Sequence, residues 1–203
     1  MKRKLLFALL SVLTLCTPAA GSSPVRVRFG VDWGYSPQVY QAYTATYCTT
    51  QLGYRVTDSG QGFDYYSNGY LLLGVGLEAG NHCAVYLKSG YMGLFKDFRV
   101  MPLLGEVQYC FKGKECDTPF VLLSGGAALN EGNFHDRTLL ASIGAGYRHH
   151  LSPYTTLDIV AKLQGSNCSP QPYDQFEGLV PRSSIIYSNS HQFAFSLGVA
   201  LYF

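Results

Sequence analysis

The last thirteen residues of the chain alternate between large apolar side chains and small or polar ones. From His191 onward, every second residue is bulky and apolar: Phe193, Phe195, Leu197, Val199, Leu201 and Phe203. A period of two indicates a β-strand with one face in an apolar environment. Because the second face is mostly small rather than charged, we expect it to line a crowded barrel interior instead of facing water.

The same alternation recurs upstream in seven segments of about the length, nine to eleven residues, that a tilted membrane strand needs. With the C-terminal segment they give eight predicted strands, at about 25–35, 70–79, 83–95, 100–111, 120–129, 139–148, 155–164 and 191–203. The third is the least regular, because Ser89 falls on its apolar face. After residue 24 no apolar run is long enough for a spanning helix. Open strands in lipid would leave backbone hydrogen bonds unmet, so the pattern predicts a closed barrel.

The connections between the predicted strands differ in length on the two sides of the barrel. The turns after strands two, four and six are short: 80–82, 112–119 and 150–154. The opposite connections, of which the first and last are long, are about 36–69, 96–99, 130–138 and 166–190. Bacterial outer-membrane barrels have short periplasmic turns and longer outer loops. We therefore predict an all-β, eight-stranded antiparallel transmembrane β-barrel (a meander) in the outer membrane of a Gram-negative bacterium, with a periplasmic N-terminus.

Residues 1–21 have the features of a secretory signal peptide. Basic residues at positions 2–4 precede an apolar stretch from Leu5 to Leu15, and small residues follow at 19–21. The stretch is too short for a spanning helix, which needs about 20 residues. We expect cleavage near Gly21 and a mature barrel over 22–203. Lipidation at Cys16 is not expected, because Leu15 is the wrong size for that cleavage.

Composition agrees with a lipid-facing exterior. Charged residues are 14% of the chain, against about 25% in a typical soluble domain, and there are 16 tyrosines and 12 phenylalanines. The net charge of +2 and the lack of a basic run argue against nucleic-acid binding.

The last strand resembles the C-terminal signal that the outer-membrane barrel-insertion machinery reads, on the basis of Phe195, Leu197, Val199, Leu201 and the terminal Phe203. With eight strands, the mature chain resembles the small outer-membrane barrels of the OmpX type and the OmpA membrane domain. This resemblance of architecture implies outer-membrane lipid and the insertion machinery as partners. It identifies no functional subfamily and implies no cofactor.

Nine charged side chains fall on the predicted strands as inward candidates: Arg26, Arg28, Asp32, Glu78, Lys88, Glu106, Arg148, Asp158 and Lys162. A buried charge is costly unless it is paired. We therefore expect an internal network of ion pairs and hydrogen bonds that holds the wall in shape. A polar conduit for protons or small solutes is the alternative, but an eight-stranded interior is narrow enough to be filled by side chains.

Five cysteines follow the signal peptide, in a compartment that permits disulfides. Cys110 and Cys116 flank the second short turn and could bridge it, and Cys48 and Cys168 lie in neighbouring outer loops and could join them. The count is odd, so the pairing stays open. No paired CxxC or Cys/His spacing indicates a metal site.

Catalysis is not expected. The serine, histidine and aspartate candidates are Ser190, His191, His135, Asp136, His149 and His150. A hydrolase needs its nucleophile beside a base, but adjacent residues of a strand, such as Ser190 and His191, point to opposite faces. His149 and His150 lie at the periplasmic end, away from lipid A. A small lipid-modifying enzyme similar to lipid A deacylases is the alternative.

The first outer loop is rich in tyrosine and poor in charge: Tyr40, Tyr43, Tyr47, Tyr54, Tyr65 and Tyr66. Tyrosine combines apolar area with a hydroxyl and is enriched at interfaces. The loop is either a docking surface for another surface protein or a glycan, or a segment that packs on itself over the barrel mouth. Our hypothesis is an integral barrel with a structural or interaction role, either as an adhesion-type protein or as an accessory subunit of a larger outer-membrane complex.

Overall fold

The structure is a computed structural model that describes residues 26–49, 53–95, 98–130, 133–176 and 178–203. The predicted signal peptide, with Cys16, lies outside these ranges. The described residues form twelve strands: β1 (Arg26–Tyr35), β2 (Gln38–Cys48), β3 (Arg55–Gly62), β4 (Gly69–Ala79), β5 (Cys83–Phe95), β6 (Phe98–Cys110), β7 (Thr118–Asn130), β8 (Asn133–His150), β9 (Thr156–Cys168), β10 (Tyr173–Asp174), β11 (Gly178–Leu179) and β12 (Ile185–Tyr202). One turn of 3-10 helix, Arg182–Ser184, precedes β12. Within the described ranges, no helix is long and apolar enough to cross a membrane.

Eight of these strands close into a ring in which each is antiparallel to its neighbours. The order is β1, β4, β5, β6, β7, β8, β9 and β12, and β12 pairs back onto β1. Following directly opposite residues once round the ring leads from Leu139 to His149 on the same strand, an offset of ten residues. Such a stagger requires strands tilted by roughly 40° to the barrel axis. The predicted eight-stranded meander is confirmed.

The barrel exterior is apolar on every strand. An outward residue that is more than half exposed occurs on each of the eight strands: Phe29, Leu73, Leu87, Leu103, Leu123, Ile143, Ile159 and Leu197. Ser89 points outward as predicted. Alternate positions point inward and are buried, among them Asp32, Glu78 and Lys88. The exterior is therefore a surface that water would solvate poorly, around an interior that holds charge.

The first outer connection is largely β-structure, so the prediction of a loop over 36–69 was wrong. After a break at Ser36 and Pro37, β2 continues the line of β1 along the outer half of β12, from Gln38 opposite Ala194 to Tyr47 opposite Ile185. β3 folds back against β2. The β2–β3 hairpin thus projects beyond the ring. Beyond Tyr40, the outward side of β2 carries the small or polar residues Ala42 and Thr44, so the alternation of apolar residues that marks a membrane strand is absent from it.

Two other outer connections are also shorter than predicted. β8 begins at Asn133, so 130–138 is mostly strand, and β9 and β12 extend to Cys168 and back to Ile185, which shortens the last connection to 169–184. The turns at the opposite end agree with prediction, at 80–82, 111–117 and 151–155. Because short turns gather at one end and extended strands at the other, we assign the short-turn end to the periplasm.

Two tyrosine rings pack over glycines of neighbouring strands inside the barrel. Tyr86 is directly opposite Gly76, and Tyr202 is directly opposite Gly30. A Cβ atom at either glycine would overlap the facing ring. The two rings also contact each other, with centroids 4.6 Å apart. These glycines therefore make room for aromatic side chains that fill the periplasmic half of the interior.

Candidate functional site

The periplasmic half of the interior holds a cluster of paired charges. Arg148 Nε and Nη2 each donate a 2.8 Å hydrogen bond to the carboxylate of Asp158. Arg148 Nη1 lies 3.6 Å from Glu78, and Arg28 Nε lies 3.5 Å from the same Glu78 oxygen. All four residues are buried. The cluster joins β1, β4, β8 and β9 across the barrel.

A second cluster of four charges lies further toward the outer side. Lys88 Nζ is 2.9 Å from Asp32 and 2.7 Å from Glu106. Lys162 Nζ is 3.0 Å from the same Asp32 oxygen and 3.6 Å from Glu106. Each lysine therefore faces both carboxylates, so every charge in this group of two cations and two anions has two partners.

Gln108 connects the two clusters. Its side-chain amide donates a 2.9 Å hydrogen bond to Glu106, and its carbonyl oxygen accepts one of 2.8 Å from Arg148 Nη2. The predicted internal network is thus formed by eight of the nine candidate charges. Arg26 is the exception. It is partly exposed at the periplasmic rim, where it lies 3.3 Å from Glu115, because its position at the start of β1 is beyond the enclosed interior.

Lys114, which no pattern in the sequence places inside the barrel, enters the interior at the periplasmic end. The turn 111–117 bends under the barrel, where Gly113 adopts a positive φ of 92°. The Lys114 side chain is buried, and its Nζ lies 3.9 Å from the Glu78 carboxylate and 3.4 Å from the Glu78 carbonyl. The Lys114 backbone N–H donates to the carbonyl of Asn81 at 2.7 Å. A lysine in a short polar turn is normally solvated, and only the fold reveals that this one is buried.

The outer half of the interior is apolar on one side. Its buried apolar residues are Tyr70, Leu72, Met92, Leu94, Val100, Leu104, Ala128 and Leu140. The facing wall carries Gln164 and Ser196. The void among them measures about 20 Å³, room for about one water molecule. Among the described residues, side chains fill this outer half, and the alternative of a conduit for solutes receives no support from the packing there. At the periplasmic end, a pocket of about 670 Å³ opens beside Arg28, Glu78 and Lys114.

Neither predicted disulfide is formed. Cys168 is opposite Ser190, which is opposite Tyr43, and Cys48 lies five residues beyond Tyr43 on β2. Two strand spacings and five residues separate the pair by roughly 19 Å, whereas a disulfide joins Cα atoms about 4.4–6.8 Å apart. The Cys48–Cys168 prediction was wrong because Cys48 and Cys168 end the paired strands β2 and β9 instead of lying in loops, and the strand register holds them apart.

The Cys110–Cys116 bridge is likewise not formed. Cys110 ends β6 with a buried side chain, whereas Cys116 is exposed in the turn. The turn instead closes through Lys112, whose N–H donates to Thr118 Oγ1 at 2.9 Å. Because the Cys110 side chain points inward and Cys116 is exposed, the predicted bridge does not form, and a hydrogen bond closes the turn instead.

The six tyrosines of the first outer loop do not share one surface. Tyr47 is buried and donates a 2.9 Å hydrogen bond to Asp174, and Tyr43 lies over Gly60 on the inner side. Tyr40 faces outward near the lipid boundary, where its ring contacts Phe63 and Phe193. Tyr66 is half-buried beside Gln38. Only Tyr54 and Tyr65 are well exposed, and the Tyr65 hydroxyl contacts that of Tyr35.

The segment 169–184 packs against the inner side of the β2–β3 hairpin. Burial and the hydrogen bond to Asp174 raise the pKa of Tyr47 to about 12. Val180 is fully buried, and its N–H donates to the carbonyl of Pro172 at 3.0 Å. Both alternatives for the first outer loop thus have a physical basis: its inner face covers the barrel mouth, and other parts of it remain exposed.

Ser190 and His191 do not form a pair. Ser190 is buried inside and bonded to Gln41 and Gln192, whereas His191 is exposed outside beside Asn189. The side chains of His135 and Asp136 lie outside the described part of the structure. Among the described residues, no group of three metal-ligating side chains occurs.

Asp117 joins two periplasmic turns through His149 and His150. Its carboxylate accepts a hydrogen bond of 2.9 Å from the His150 backbone N–H. It also accepts hydrogen bonds of 2.6 Å from His149 Nδ1 and 3.3 Å from His150 Nδ1. These hydrogen bonds hold the pKa of Asp117 below its usual range, and the one from the His150 backbone has the largest effect. His150 Nε2 also lies 2.9 Å from the Lys114 carbonyl. These hydrogen bonds tie the turn 111–117 to the periplasmic end of β8.

No protein-family model matches the chain, and no curated protein matches it. Among solved structures, the chain is similar to Neisserial surface protein A, with 13% identity over 88% of this chain and 98% of that one and a TM-score of 0.45. The chain is also similar to the outer membrane protein OprG from Pseudomonas aeruginosa, with 9% identity over 87% of this chain and 95% of that one and a TM-score of 0.47. For the outer membrane protein AlkL, the identity is 15% over 92% of this chain and 95% of that one, with a TM-score of 0.44.

The membrane assignment of this chain depends on its own geometry. A closed barrel with an apolar exterior, a charged interior and short turns at one end is the transmembrane type found in bacterial outer membranes. Closure satisfies the backbone of every barrel strand, which lipid requires. The protein is therefore a small outer-membrane β-barrel.

Proposed function

We propose that this barrel is a sealed, non-enzymatic anchor whose β2–β3 hairpin docks an extended segment of another surface protein. The observation that carries the proposal is the edge of β3. Among the described strands, β3 pairs only with β2, and all eight of its residues are exposed or half-exposed. An open strand edge presents unpaired N–H and C=O groups that favour addition of a further strand.

Exposed apolar side chains near the hairpin support contact with a protein. On the outer side these are Tyr54, Tyr65, Tyr173, Phe176, Leu179 and Ile186. Apolar groups gathered outside the lipid-facing band are characteristic of interaction surfaces. The charges of the interior, in contrast, are paired with one another. In this proposal the barrel therefore serves as a support for the hairpin.

A second copy of the chain is a poorer partner for the β3 edge. Two copies inserted in the same direction are related by an axis along the membrane normal, which would place the two β3 strands parallel. Antiparallel pairing would require one copy to be inverted. Parallel pairing is slightly less stable per residue. A separate protein can supply a strand in either direction.

The test is site-specific photocrosslinking in native outer membranes. A photoreactive residue at Arg55 or Asp58 on β3 should give one adduct of defined mass with another protein, and the same residue at Ser183 should not. Replacement of 42–61 by a short turn should abolish the adduct made from a photoreactive residue retained at Tyr65. Equal adducts from Ser183, none from β3, or an adduct of twice the chain's own mass would contradict the proposal.

The enzymatic alternative has its own test. Ser190 and His191 are the residues that a lipid-modifying activity would need on this strand, but they point to opposite sides of the wall. Ser190→Ala and His191→Ala should leave the acylation pattern of lipid A unchanged by mass spectrometry. A changed pattern would overturn the non-enzymatic assignment.

We also propose that Phe195, Leu197, Val199, Leu201 and Phe203 are read by the barrel-insertion machinery. The first four lie on the outward face of β12, the strand that closes the ring against β1, and Phe203 directly follows that strand. Polar substitutions at Phe195 and Phe203 should reduce the amount of protein in the outer membrane, whereas the inward Ser196→Ala should not. Equal amounts of all three variants would contradict this role.

A further inference from the structure

An uncharged polar groove opens sideways on the outward face of the sheet, above the lipid-facing band. Its floor is Ala42 and Thr44 on β2. Two rows of directly opposite residues cross it, His191–Ala42–Gln61 and Asn189–Thr44–Ser59. Tyr187 stands at its outer end, and the volume is about 580 Å³.

The height of this groove in the membrane follows from the residues below it. Tyr40, Phe63 and Phe193 form an outward aromatic cluster, with ring centroids of Tyr40 5.3 Å from Phe63 and 6.2 Å from Phe193. Aromatic side chains on the outward face mark the boundary between acyl chains and headgroups. The groove begins two residues further along β2, or about 7 Å along the strand. What it faces at that height is the headgroup layer of the outer leaflet.

The groove chemistry selects among headgroup components. Its side chains offer hydroxyls from Thr44, Ser59 and Tyr187, amides from Gln61 and Asn189, and the imidazole of His191, whose Nε2 lies 3.2 Å from the Asn189 amide. None of the residues that line it is Lys, Arg, Asp or Glu. Phosphates are bound in proteins by arginine and lysine, which this groove lacks. Sugar hydroxyls, which both donate and accept hydrogen bonds, match its neutral donors and acceptors.

We propose that this groove binds the sugar headgroup of a glycolipid in the outer leaflet. The small floor residues leave space for a sugar ring between the β12 and β3 walls. The exposed Tyr187 ring offers an apolar face at the outer end. This inference concerns side chains on the outward face, whereas the proposed protein contact uses the backbone edge of β3, so each can fail without the other.

The experiment is native mass spectrometry of the full mature protein in detergent, titrated with three probes: lipopolysaccharide with core sugars, the same glycolipid without core sugars, and the free core oligosaccharide. The wild-type protein should retain one molecule of the complete glycolipid. Loss of the core sugars should weaken binding roughly tenfold or more, as expected when several hydrogen bonds are lost. The free oligosaccharide should bind more weakly than the complete glycolipid.

Two kinds of variant test the position of the site. Ala42→Trp fills the floor, and Asn189→Ala with His191→Ala removes side-chain donors and acceptors without adding bulk. Both should reduce retention of the complete glycolipid roughly tenfold, whereas Ser183→Trp, on the exposed 3-10 turn, should match the wild-type protein. Heat-modifiable migration in gels checks that each variant is a closed barrel. If Ala42→Trp does not fold, the double variant Asn189→Ala/His191→Ala still tests the site.

Three results would overturn the proposal. These are equal retention by the wild-type protein and the groove variants, equal binding of glycolipid with and without core sugars, and binding of free oligosaccharide as tight as that of the complete glycolipid. The first would place the sugar elsewhere, the second would assign recognition to acyl chains or phosphates, and the third would indicate a soluble glycan. In each case photocrosslinking from β3 remains an independent result.

Discussion

Arg148 and Asp158 are directly opposite each other on β8 and β9, and their side chains meet inside the barrel through two hydrogen bonds of 2.8 Å each. The strand register alone therefore brings together two charges that lie ten residues apart in the sequence. Both side chains are fully enclosed, so neither has water as an alternative partner. A pair of this kind commits the strands to one register, because a slip of one residue would move either charge to the lipid side.

Asp158→Asn should destabilise the barrel strongly, because it leaves the Arg148 guanidinium buried with reduced compensation. We expect a loss of roughly 3–5 kcal/mol in the free energy of unfolding. The measurement is denaturant unfolding in lipid vesicles, followed by Trp33 fluorescence. Glu115→Gln, which breaks the exposed pair with Arg26, is the control and should cost less than about 1 kcal/mol. Equal losses in the two variants would show that the enclosed network does not stabilise the wall.

Gly76→Val should destabilise the barrel because the added side chain meets the Tyr86 ring on the neighbouring strand. Overpacking of this kind costs typically about 1–3 kcal/mol. Gly105→Val is the matched control: it also lies in a barrel strand, but it points outward and its nearest neighbour is 3.8 Å from the added Cβ. If both variants unfold at the same denaturant concentration, the ring over Gly76 is not required for packing.

Replacement of residues 42–61 by a short turn should leave the barrel closed. The ring is sealed by β1 with β4 and β12 below the hairpin, and β3 contributes no pairing to it. We expect unchanged heat-modifiable migration and unchanged Trp33 emission. Failure of this variant to fold, while Tyr47→Phe folds normally, would mean that the hairpin is part of the barrel rather than an addition to it.

Asp117→Asn should reduce stability at neutral pH and have no effect in strong acid. The folded pKa of Asp117 lies below its unfolded value, so its contribution is fully present above the unfolded value of about 3.9 and is lost as the pH falls through the folded pKa. The difference in melting temperature between wild-type and variant, measured from neutral pH down into strong acid below the folded pKa, should therefore shrink toward zero. A difference that grows on acidification would contradict this assignment of the charge.

The sequence predicts the membrane-spanning part of the fold because lipid imposes a period of two on every strand that it touches. Alternation alone correctly placed Leu73 and Leu197 on the outward face. It also placed Ser89 there, although serine is polar. The hairpin escaped prediction because its outward face beyond Tyr40 lies above the acyl chains and its inner face packs against the segment 169–184. Neither face therefore needs the regular apolar positions of a membrane strand. Strand ends beyond the bilayer are determined by partners, not by lipid.

The interior charges could be predicted as a set but not as pairs. Alternation placed Lys88 and Glu106 inward, yet their meeting depends on the stagger of the barrel, which no local pattern encodes. The bridge made by Gln108, an inward residue by alternation, and the burial of Lys114 were missed for different reasons. A polar inward residue such as Gln108 carries no sign of which charges it will bridge, and Lys114 enters the barrel only because the turn around Gly113 bends beneath it.

The central claim is that the outward faces of eight closed strands contact acyl chains, and Trp33 tests it directly. It is the only tryptophan of the chain and lies on the outward face of β1, opposite Leu71 and Val199. In vesicles of lipids brominated on their acyl chains, Trp33 fluorescence should be strongly quenched, whereas a water-soluble quencher should have little effect. Quenching by the aqueous probe but not by the brominated chains would contradict the account.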